Sequence, residues 1–135
     1  MKNSFSAMIL AAGFGKRMMP LTNEKPKPLI DINGITLLDN TIKFLKVLGC
    51  DQIVINTHYM HEKIYDHIKK KTRNENIDLI YENKILDTGG AIKNAMNLFK
   101  EKNLLVVNSD IFWTIENIID VKNLIKKYNI NRNPH

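Results

Sequence analysis

Residues 8–30 read MILAAGFGKRMMPLTNEKPKPLI, so that an apolar run passes directly into a loop of glycines, prolines and cations. The apolar residues 5–10 predict a buried strand. Gly13 and Gly15 follow it, and glycines without a Cβ let backbone N–H groups approach a ligand closely. Successive N–H groups in such a turn form a concavity that binds anions. The stretch therefore predicts a binding site for a triphosphate.

Four cations in the same stretch support this interpretation: Lys16, Arg17, Lys25 and Lys27. Pro26 and Pro28 fix their own φ angles and restrict the residues before them. We therefore expect Lys25 and Lys27 to be held on a stiff, extended segment and not on a floppy surface loop. Lys16 and Lys25 are also compatible with simple surface positions.

Two better-known phosphate-binding loops do not match this stretch. A Walker A loop requires GxxxxGK followed by Ser or Thr, which the chain lacks. The dinucleotide-binding fingerprint requires a third glycine three residues after Gly15, where this chain has Met18. On their own, Gly13 and Gly15 are equally compatible with an ordinary turn between a strand and a helix, so the neighbouring cations are what favours a phosphate site.

Short apolar runs alternate with amphipathic stretches along the chain. The predicted strands are residues 5–10, 52–56, 77–81 and 104–108, and the predicted helices are residues 36–48, 60–71, 88–100 and 114–128. We expect Met96 and Tyr128 to face inward and a frayed, polar tail from residue 129. This alternation predicts an α/β fold, a Rossmann-like three-layer sandwich with a mostly parallel sheet. Ligands bind beyond the carboxyl ends of the strands in such sheets.

Composition limits the class of protein. The chain has 135 residues, 44% of them hydrophobic, which predicts one globular domain. The formal net charge of +6 comes with no basic stripe of interleaved aromatic residues, so it suits an anionic small-molecule substrate, although a lysine-rich solvated surface explains it equally. The single cysteine permits no internal disulfide, and no segment approaches the roughly 18 apolar residues of a membrane span. We expect a cytoplasmic protein that binds neither nucleic acid nor membrane.

Asp110 follows the fourth predicted strand and is the candidate metal ligand. A carboxylate at a strand end, beside a triphosphate, suits Mg²⁺, which prefers one or two carboxylates together with phosphate oxygens. The alternative is a cap for the next helix, but Thr114 lies closer to that helix.

One composite motif resembles the signature of the sugar-phosphate nucleotidyltransferases. It comprises LAAGxGxRM at residues 10–18, PLT at residues 20–22 and PKPL at residues 26–29. The resemblance implies transfer of a nucleotidyl group from a nucleoside triphosphate to a sugar 1-phosphate, with Mg²⁺ as cofactor and an NDP-sugar and pyrophosphate as products. Residues 86–90 (LDTGG) most resemble the N-acetylmuramate 1-phosphate uridylyltransferases and mannose-1-phosphate guanylyltransferases, which leaves UTP and GTP both open.

The resemblance also implies roles for particular residues. Arg17 and Lys27 match cations that contact the phosphates and would be catalytic. Asp110 matches the aspartate that binds the metal, although Ser109 replaces the usual glycine before it. The remaining implied residues would hold the nucleotide: Leu10, Ala11, Ala12, Gly13, Gly15, Lys16, Glu82, Gly89, Gly90 and Asn108.

Two of these assignments have an alternative. Glu82 lies at the position where relatives have a side chain that reads the base. The sequence does not decide whether Glu82 has this role. Gly89 and Gly90 permit close approach of a base or ribose. A helix N-terminus capped by Asp87 or Thr88 explains the two glycines equally, and both roles can coexist.

The resemblance covers nearly all of the chain but only the first part of a family member. Family members continue with strands that bind the sugar phosphate and supply a second metal-binding aspartate. We therefore expect residues 1–135 to form one nucleotide-binding domain, truncated relative to the family. A catalytically incomplete nucleotide-binding remnant, half of a split enzyme and a choline-phosphate cytidylyltransferase are the alternatives. A sheet cut at this point exposes an edge, which favours a homo-oligomer.

Overall fold

The computed structural model describes residues 4–71 and 76–132. Its strands and helices are β1 (Ser6–Leu10), β2 (Asp31–Ile32), β3 (Ile35–Thr36), α1 (Leu37–Val47), β4 (Gln52–Thr57), α2 (His61–Lys71), β5 (Ile77–Tyr81), α3 (Thr88–Ala95), β6 (Leu104–Asn108) and α4 (Ile115–Arg132). Single turns of 3-10 helix lie at Lys16–Met18, Leu21–Asn23, Lys27–Leu29 and Met96–Leu98. All four predicted strands and all four predicted helices are present, with shifts at some ends.

The main sheet has four parallel strands in the order β5-β4-β1-β6. Strand β1 lies at its centre, with Ala7 opposite Ile53 of β4 on one side and Leu105 of β6 on the other. The chain builds outward in one direction through β4 and β5, then returns to add β6 on the opposite side of β1. This reversal leaves a crevice beyond the carboxyl ends of β1 and β6, where such sheets bind ligands.

Helices cover both faces of the sheet, so β1 and β4 are buried on both sides. On one face Ile9 and Ile55 pack with side chains from α1 and α2, and partly buried residues of α4 complete the layer. On the other face Met8 and Val54 pack against α3. All four of these sheet residues are fully buried. Burying one such side chain stabilises the fold by about 1.5–3 kcal/mol, so the strands that carry the crevice are anchored firmly. The predicted α/β class with a parallel sheet is confirmed.

Helix α3 ends before the predicted boundary at residue 100. A 3-10 turn follows it, and Met96, expected inside, is 60% exposed. Gln52 of β4 explains the early end. Its side chain accepts a hydrogen bond from the Lys100 N–H (2.9 Å) and donates one to the Leu98 carbonyl (2.6 Å). These tertiary bonds satisfy backbone groups that a longer helix would pair within itself.

Helix α4 is longer than predicted and ends at Arg132. The expected end at residue 128 and the frayed tail are therefore wrong over residues 129–132, whereas residues 133–135 lie outside the described part. No glycine or proline interrupts this stretch before Pro134, so nothing in it stops a helix. Tyr128, expected to face inward, is 50% exposed. None of the helices in the described residues is both long and apolar enough to cross a membrane.

Candidate active site

A cleft of about 220 Å³ lies at the carboxyl ends of β1 and β6, at the point where the strand order reverses. Three separate segments meet there: the glycine loop, the lysine-proline segment and the loop after β6. The residues that line the cleft are Leu10, Ala11, Gly13, Gly15, Lys27, Pro28, Asn108, Ser109 and Asp110. The structure therefore brings together seven of the predicted site residues, from positions up to 100 apart in the chain.

The two glycines of the loop have different roles. Gly15 has φ +66°, in the left-handed region that side chains disfavour, and a Cβ there would lie 2.7 Å from Thr22 Cγ2. Thr22 is buried, and its hydroxyl donates a hydrogen bond to the Gly15 carbonyl (2.8 Å). A Cβ at Gly13 would meet nothing within 4 Å. Gly15 therefore shapes the loop, whereas Gly13 has open space at the position that a Cβ would occupy.

Lys27 lies in a 3-10 turn and not on an extended segment, so that prediction is wrong. The Leu29 N–H donates to the Pro26 carbonyl (2.9 Å) and the Ile30 N–H to the Lys27 carbonyl (3.1 Å). The φ angle fixed by Pro28 suits the first turn of a helix as well as extended chain. Both prolines are fully buried, so the turn is held firmly against the body of the protein.

Lys27 Nζ forms an ion pair with Asp110 Oδ2 at 3.1 Å across the cleft. The two side chains are 23% and 42% exposed, and a partly exposed pair contributes about 0–1 kcal/mol to stability. The pair therefore serves mainly to hold a cation and a carboxylate side by side. Helix α4 begins only at Ile115, too far along the chain for Asp110 to cap it.

The Asp110 carboxylate is of the kind that Mg²⁺ prefers as a ligand. This carboxylate is partly exposed in the cleft and already accepts a cation, the Lys27 ammonium, at Oδ2. Among the residues that the structure describes, no three or more His, Cys, Asp or Glu side chains gather in a way that could hold a metal. Mg²⁺ is usually bound by one or two carboxylates together with substrate phosphates, and Asp110 could supply one such carboxylate.

Several predicted residues lie outside the cleft lining. Lys16 and Arg17 are exposed on the 3-10 turn after the glycine loop, and Ala12 is buried. Gly89 and Gly90 form the first turn of α3. Contacts between these residues and a nucleotide stay predictions.

One of the two alternatives predicted for Gly89 and Gly90 was a capped helix N-terminus, and the structure has this cap at the start of α3. Asp87 Oδ1 accepts a hydrogen bond from the Gly90 N–H at 2.6 Å. A Cβ at Gly90 would lie 2.8 Å from the same oxygen, so a larger residue at this position would require the Asp87 side chain to shift. The cap is confirmed, and it leaves room for the second predicted role, contact with a base or ribose.

The sequence model for the family described as nucleotidyl transferase matches residues 6–132. The chain belongs to this family. It is 35% identical over 111 residues to the N-acetylmuramate alpha-1-phosphate uridylyltransferase of Caulobacter vibrioides, a match that covers 79% of this chain and 46% of the relative. It is 30% identical over 122 residues to the D-glycero-alpha-D-manno-heptose 1-phosphate guanylyltransferase of Aneurinibacillus thermoaerophilus, covering 90% of this chain and 51% of the relative.

Among solved structures, the CTP:phosphocholine cytidylyltransferase of Streptococcus pneumoniae matches with a TM-score of 0.66 and 31% identity, over 78% of this chain and 45% of that one. This nucleotidyl transferase chain thus spans about half the length of the curated relatives it matches. The three similar proteins are named for three different nucleobases.

Sequence reasoning missed two side chains that hold the site in shape. Asn56, at the end of β4, accepts a hydrogen bond from the Ala11 N–H (2.7 Å). Asn40 of α1 bonds both backbone groups of Trp113, accepting from its N–H (2.6 Å) and donating to its carbonyl (3.0 Å). The Trp113 ring also stacks on Phe44 at 4.2 Å, so α1 fixes the loop that contains Asp110. The sequence signal for Asn56 was a lone amide closing an apolar strand; Asn40 had none.

Proposed function

We propose that the chain is the nucleotide-binding part of an enzyme that transfers a nucleotidyl group from a nucleoside triphosphate to a sugar 1-phosphate. The products would be an NDP-sugar and pyrophosphate. The observation that carries this proposal is the cleft itself, where a glycine loop, Lys27 and Asp110 meet at the reversal point of a parallel sheet. Membership of the nucleotidyl transferase family supports it.

For this reaction the protein mainly has to bind and orient the two substrates and stabilise negative charge. A phosphate oxygen of the acceptor would attack the α-phosphorus in line, and the bond from that phosphorus to the pyrophosphate oxygen would break. The attacking phosphate is already ionised, so no general base is required. Backbone N–H groups around Gly13 and Gly15 would hold the triphosphate. Lys27 and Arg17 would lower the barrier by placing positive charge where negative charge develops.

We further propose Mg²⁺ as the cofactor, with Asp110 as its protein ligand alongside phosphate oxygens. When bound, the ion would neutralise charge on the phosphates. Lys27 would remain beside it as a second cation.

The identity of the acceptor and of the nucleobase is a more specific part of the proposal. Two relatives are named as transferases to sugar 1-phosphates and one similar structure is named for phosphocholine, so the shared feature is a phosphate monoester acceptor. We favour a sugar 1-phosphate because both curated relatives are named for one. UTP and GTP both stay open as donors.

A second candidate is a chain that binds the nucleotide but needs further structure for catalysis. The observation in its favour is that the chain spans about half of its relatives. It predicts Mg²⁺-dependent binding of a nucleoside triphosphate without pyrophosphate release. Pyrophosphate detection with a panel of sugar 1-phosphates and phosphocholine separates the two candidates.

A thermal-shift screen of the four nucleoside triphosphates with Mg²⁺ tests the proposed site. A ligand that binds the native state raises the melting temperature. We expect at least one nucleotide to do so, and the shift to fall in Lys27→Ala. The exposed Lys122 of α4 supplies the matched control, Lys122→Ala, which should keep the wild-type shift. Equal shifts of the melting temperature in wild type and Lys27→Ala would show that Lys27 does not contribute to nucleotide binding.

We also propose a cytoplasmic location and self-association through the end of the sheet. Strand β6 is the end strand of the described sheet, and Ile115 and Leu124 of the neighbouring α4 are 77% and 62% exposed. Apolar surface beside a strand edge favours association. Sedimentation velocity should show a species larger than a monomer as concentration rises. A clean monomer throughout would contradict it.

A further inference from the structure

A line of hydrogen bonds crosses the carboxyl edge of the sheet, from the loop after β1 to the loop after β5. Asn56 Oδ1 accepts from the Ala11 N–H at 2.7 Å, and Asn56 Nδ2 donates to Glu82 Oε2 at 2.9 Å. Glu82 Oε1 in turn accepts from the Leu86 N–H at 3.3 Å. Asn56 and Glu82 are 3% and 2% exposed, so the middle of this line lies inside the protein, whereas its Leu86 end is partly exposed.

Each hydrogen bond in this line has a fixed donor and a fixed acceptor. The Asn56 amide offers an acceptor to one neighbour and a donor to the other, whereas the Glu82 carboxylate offers acceptors on both sides. Each buried polar atom meets a partner of the opposite kind, which is the condition under which burial of such groups is tolerated. The backbone of Glu82 is held as well: its N–H donates to the Thr57 carbonyl (2.8 Å), and His58 Nδ1 lies 2.6 Å from its carbonyl oxygen.

The two ends of the line belong to the two loops that the proposed function needs. Ala11 lines the cleft and precedes the glycine loop that would hold the triphosphate. Leu86 precedes Asp87, whose carboxylate caps α3 through the Gly90 N–H. The line therefore spans the distance between the loop for the triphosphate and the turn expected to contact the base or ribose.

We propose that Asn56 and Glu82 are positioning residues that lock these two loops relative to each other, so that one nucleotide can contact both. This inference rests on the proposed function, because it assumes that a nucleotide occupies both loops. Glu82 then acts through the protein and does not read the base. Glu82 is 2% exposed, and each of its carboxylate oxygens already accepts a hydrogen bond from the protein.

Exchange of the amide and the acid between the two positions tests the proposal. Asn56→Asp removes the donor to Glu82 and sets two carboxylates face to face. Glu82→Gln brings an NH₂ group against the Asn56 NH₂ or the Leu86 N–H.

The double variant, Asn56→Asp with Glu82→Gln, restores all three hydrogen bonds with the middle one reversed. The amide introduced at position 82 can donate to the carboxylate introduced at position 56 and accept from the Leu86 N–H. That carboxylate can still accept from the Ala11 N–H. Volume and net charge are unchanged. The middle hydrogen bond is reversed, and the carboxylate moves from position 82 to position 56, where it accepts from the Ala11 N–H.

Isothermal titration with Mg²⁺ and each of the four nucleoside triphosphates provides the readout. We expect each single variant to weaken binding of the preferred nucleotide about tenfold or more, because each leaves an unpaired or repulsive buried contact in the line that holds the two loops. The double variant should return to within about threefold of the wild-type Kd with the same preferred base. Hydrogen exchange of the Ala11 and Leu86 amides in the free protein should quicken in the single variants and slow again in the double variant.

Gln52→Glu supplies the matched control. Gln52 is a buried amide at the opposite end of the same strand, and the same exchange of amide for acid disturbs hydrogen bonds remote from the cleft. It should lower the melting temperature and leave the nucleotide Kd unchanged, which separates positioning from general destabilisation.

Three outcomes would overturn the proposal. Single variants that bind as wild type would show that the line does not position the loops. A double variant that stays as weak as Glu82→Gln, or changes its preferred base, would assign Glu82 to direct base contact. Both results leave the proposed function standing. A wild-type chain that binds none of the four nucleotides would overturn the proposed function, and this inference with it.

Discussion

Strand β4 has a buried amide side chain near each end, and the two ends differ in what those amides hold. Gln52, at the amino end, accepts from Ser6 and Lys100 and donates to Asp78 and Leu98, so it closes the edge of the core. Asn56, at the carboxyl end, is bonded to Ala11 and Glu82, which belong to open loops.

The same physical requirement, that buried polar atoms find partners, therefore has two results in one strand. At the amino end it contributes to stability. At the carboxyl end it holds Ala11, which precedes the glycine loop that lines the cleft. Substitutions at the amino end should change stability and spare binding, whereas substitutions at the carboxyl end should also weaken binding.

The largest expected effect on stability belongs to Gln52→Glu. The new carboxylate would face Asp78 and would leave the Leu98 carbonyl without its donor. Each unpaired buried group costs about 1–3 kcal/mol, so we expect the free energy of unfolding to fall by about 3–5 kcal/mol. Urea denaturation measures this loss. A loss near zero would show that the amino end is not held by this amide.

The next effect distinguishes the two glycines of the loop. Gly15→Ala combines a left-handed backbone with a Cβ that overlaps Thr22, and we expect a loss of about 2–4 kcal/mol together with weaker nucleotide binding. Gly13→Ala, which meets open space, is the matched control and should lose less than about 1 kcal/mol. Equal losses in urea denaturation would contradict the geometry of the loop.

Asp110→Asn should affect binding more than stability. The Lys27–Asp110 pair is partly exposed, so its loss costs less than about 1 kcal/mol of folding free energy. Nucleotide affinity measured with and without EDTA should depend on Mg²⁺ in the wild type, by about tenfold or more, and much less in the variant. Asp120→Asn, at an exposed position on α4, should behave as wild type. An undiminished magnesium dependence in Asp110→Asn would place the metal elsewhere.

The smallest effect concerns Cys50, next to Gln52 at the amino end. Burial raises the pKa of its thiol from 9.0 to about 11. The native protein therefore retains this proton between those pKa values while the unfolded chain releases it, so stability should fall as pH rises above about 9. The thiol is partly exposed, and we expect a loss below about 1 kcal/mol at pH 10. Denaturation of Cys50→Ala over the same pH range should lack this component.

Strands were the most predictable elements, since residues 77–81 and 104–108 were placed without error. Continuous apolar runs between turn signals explain that success. The ends of α3 and α4 were wrong for opposite reasons. The Gln52 side chain forms hydrogen bonds with the Leu98 carbonyl and the Lys100 N–H, so α3 ends early. No local sequence pattern reveals these bonds, because Gln52 lies on strand β4. Nothing stopped α4 where its apolar stripe ended, because polar residues continue a helix until a breaker intervenes.

The candidate site also has a part that the sequence predicted and a part that it did not. The glycine loop, Lys27 and Asp110 were recognisable from residue type and spacing, and the cleft contains them all. The Lys27 turn was mispredicted because proline fits both extended chain and the first turn of a helix. Ala11, Asn56 and Glu82 lie on three segments that are far apart in the sequence, so no sequence window contained them together.

The sequence by itself determined the α/β class, the parallel sheet and the chemistry of the first loop, because these depend on local periodicity and on the properties of glycine, lysine and aspartate. Only the tertiary structure decided which of those residues share a cleft and which are buried supports. That decision depends on strand order and on the pairing of buried polar atoms across strands, and both are properties of the folded chain as a whole.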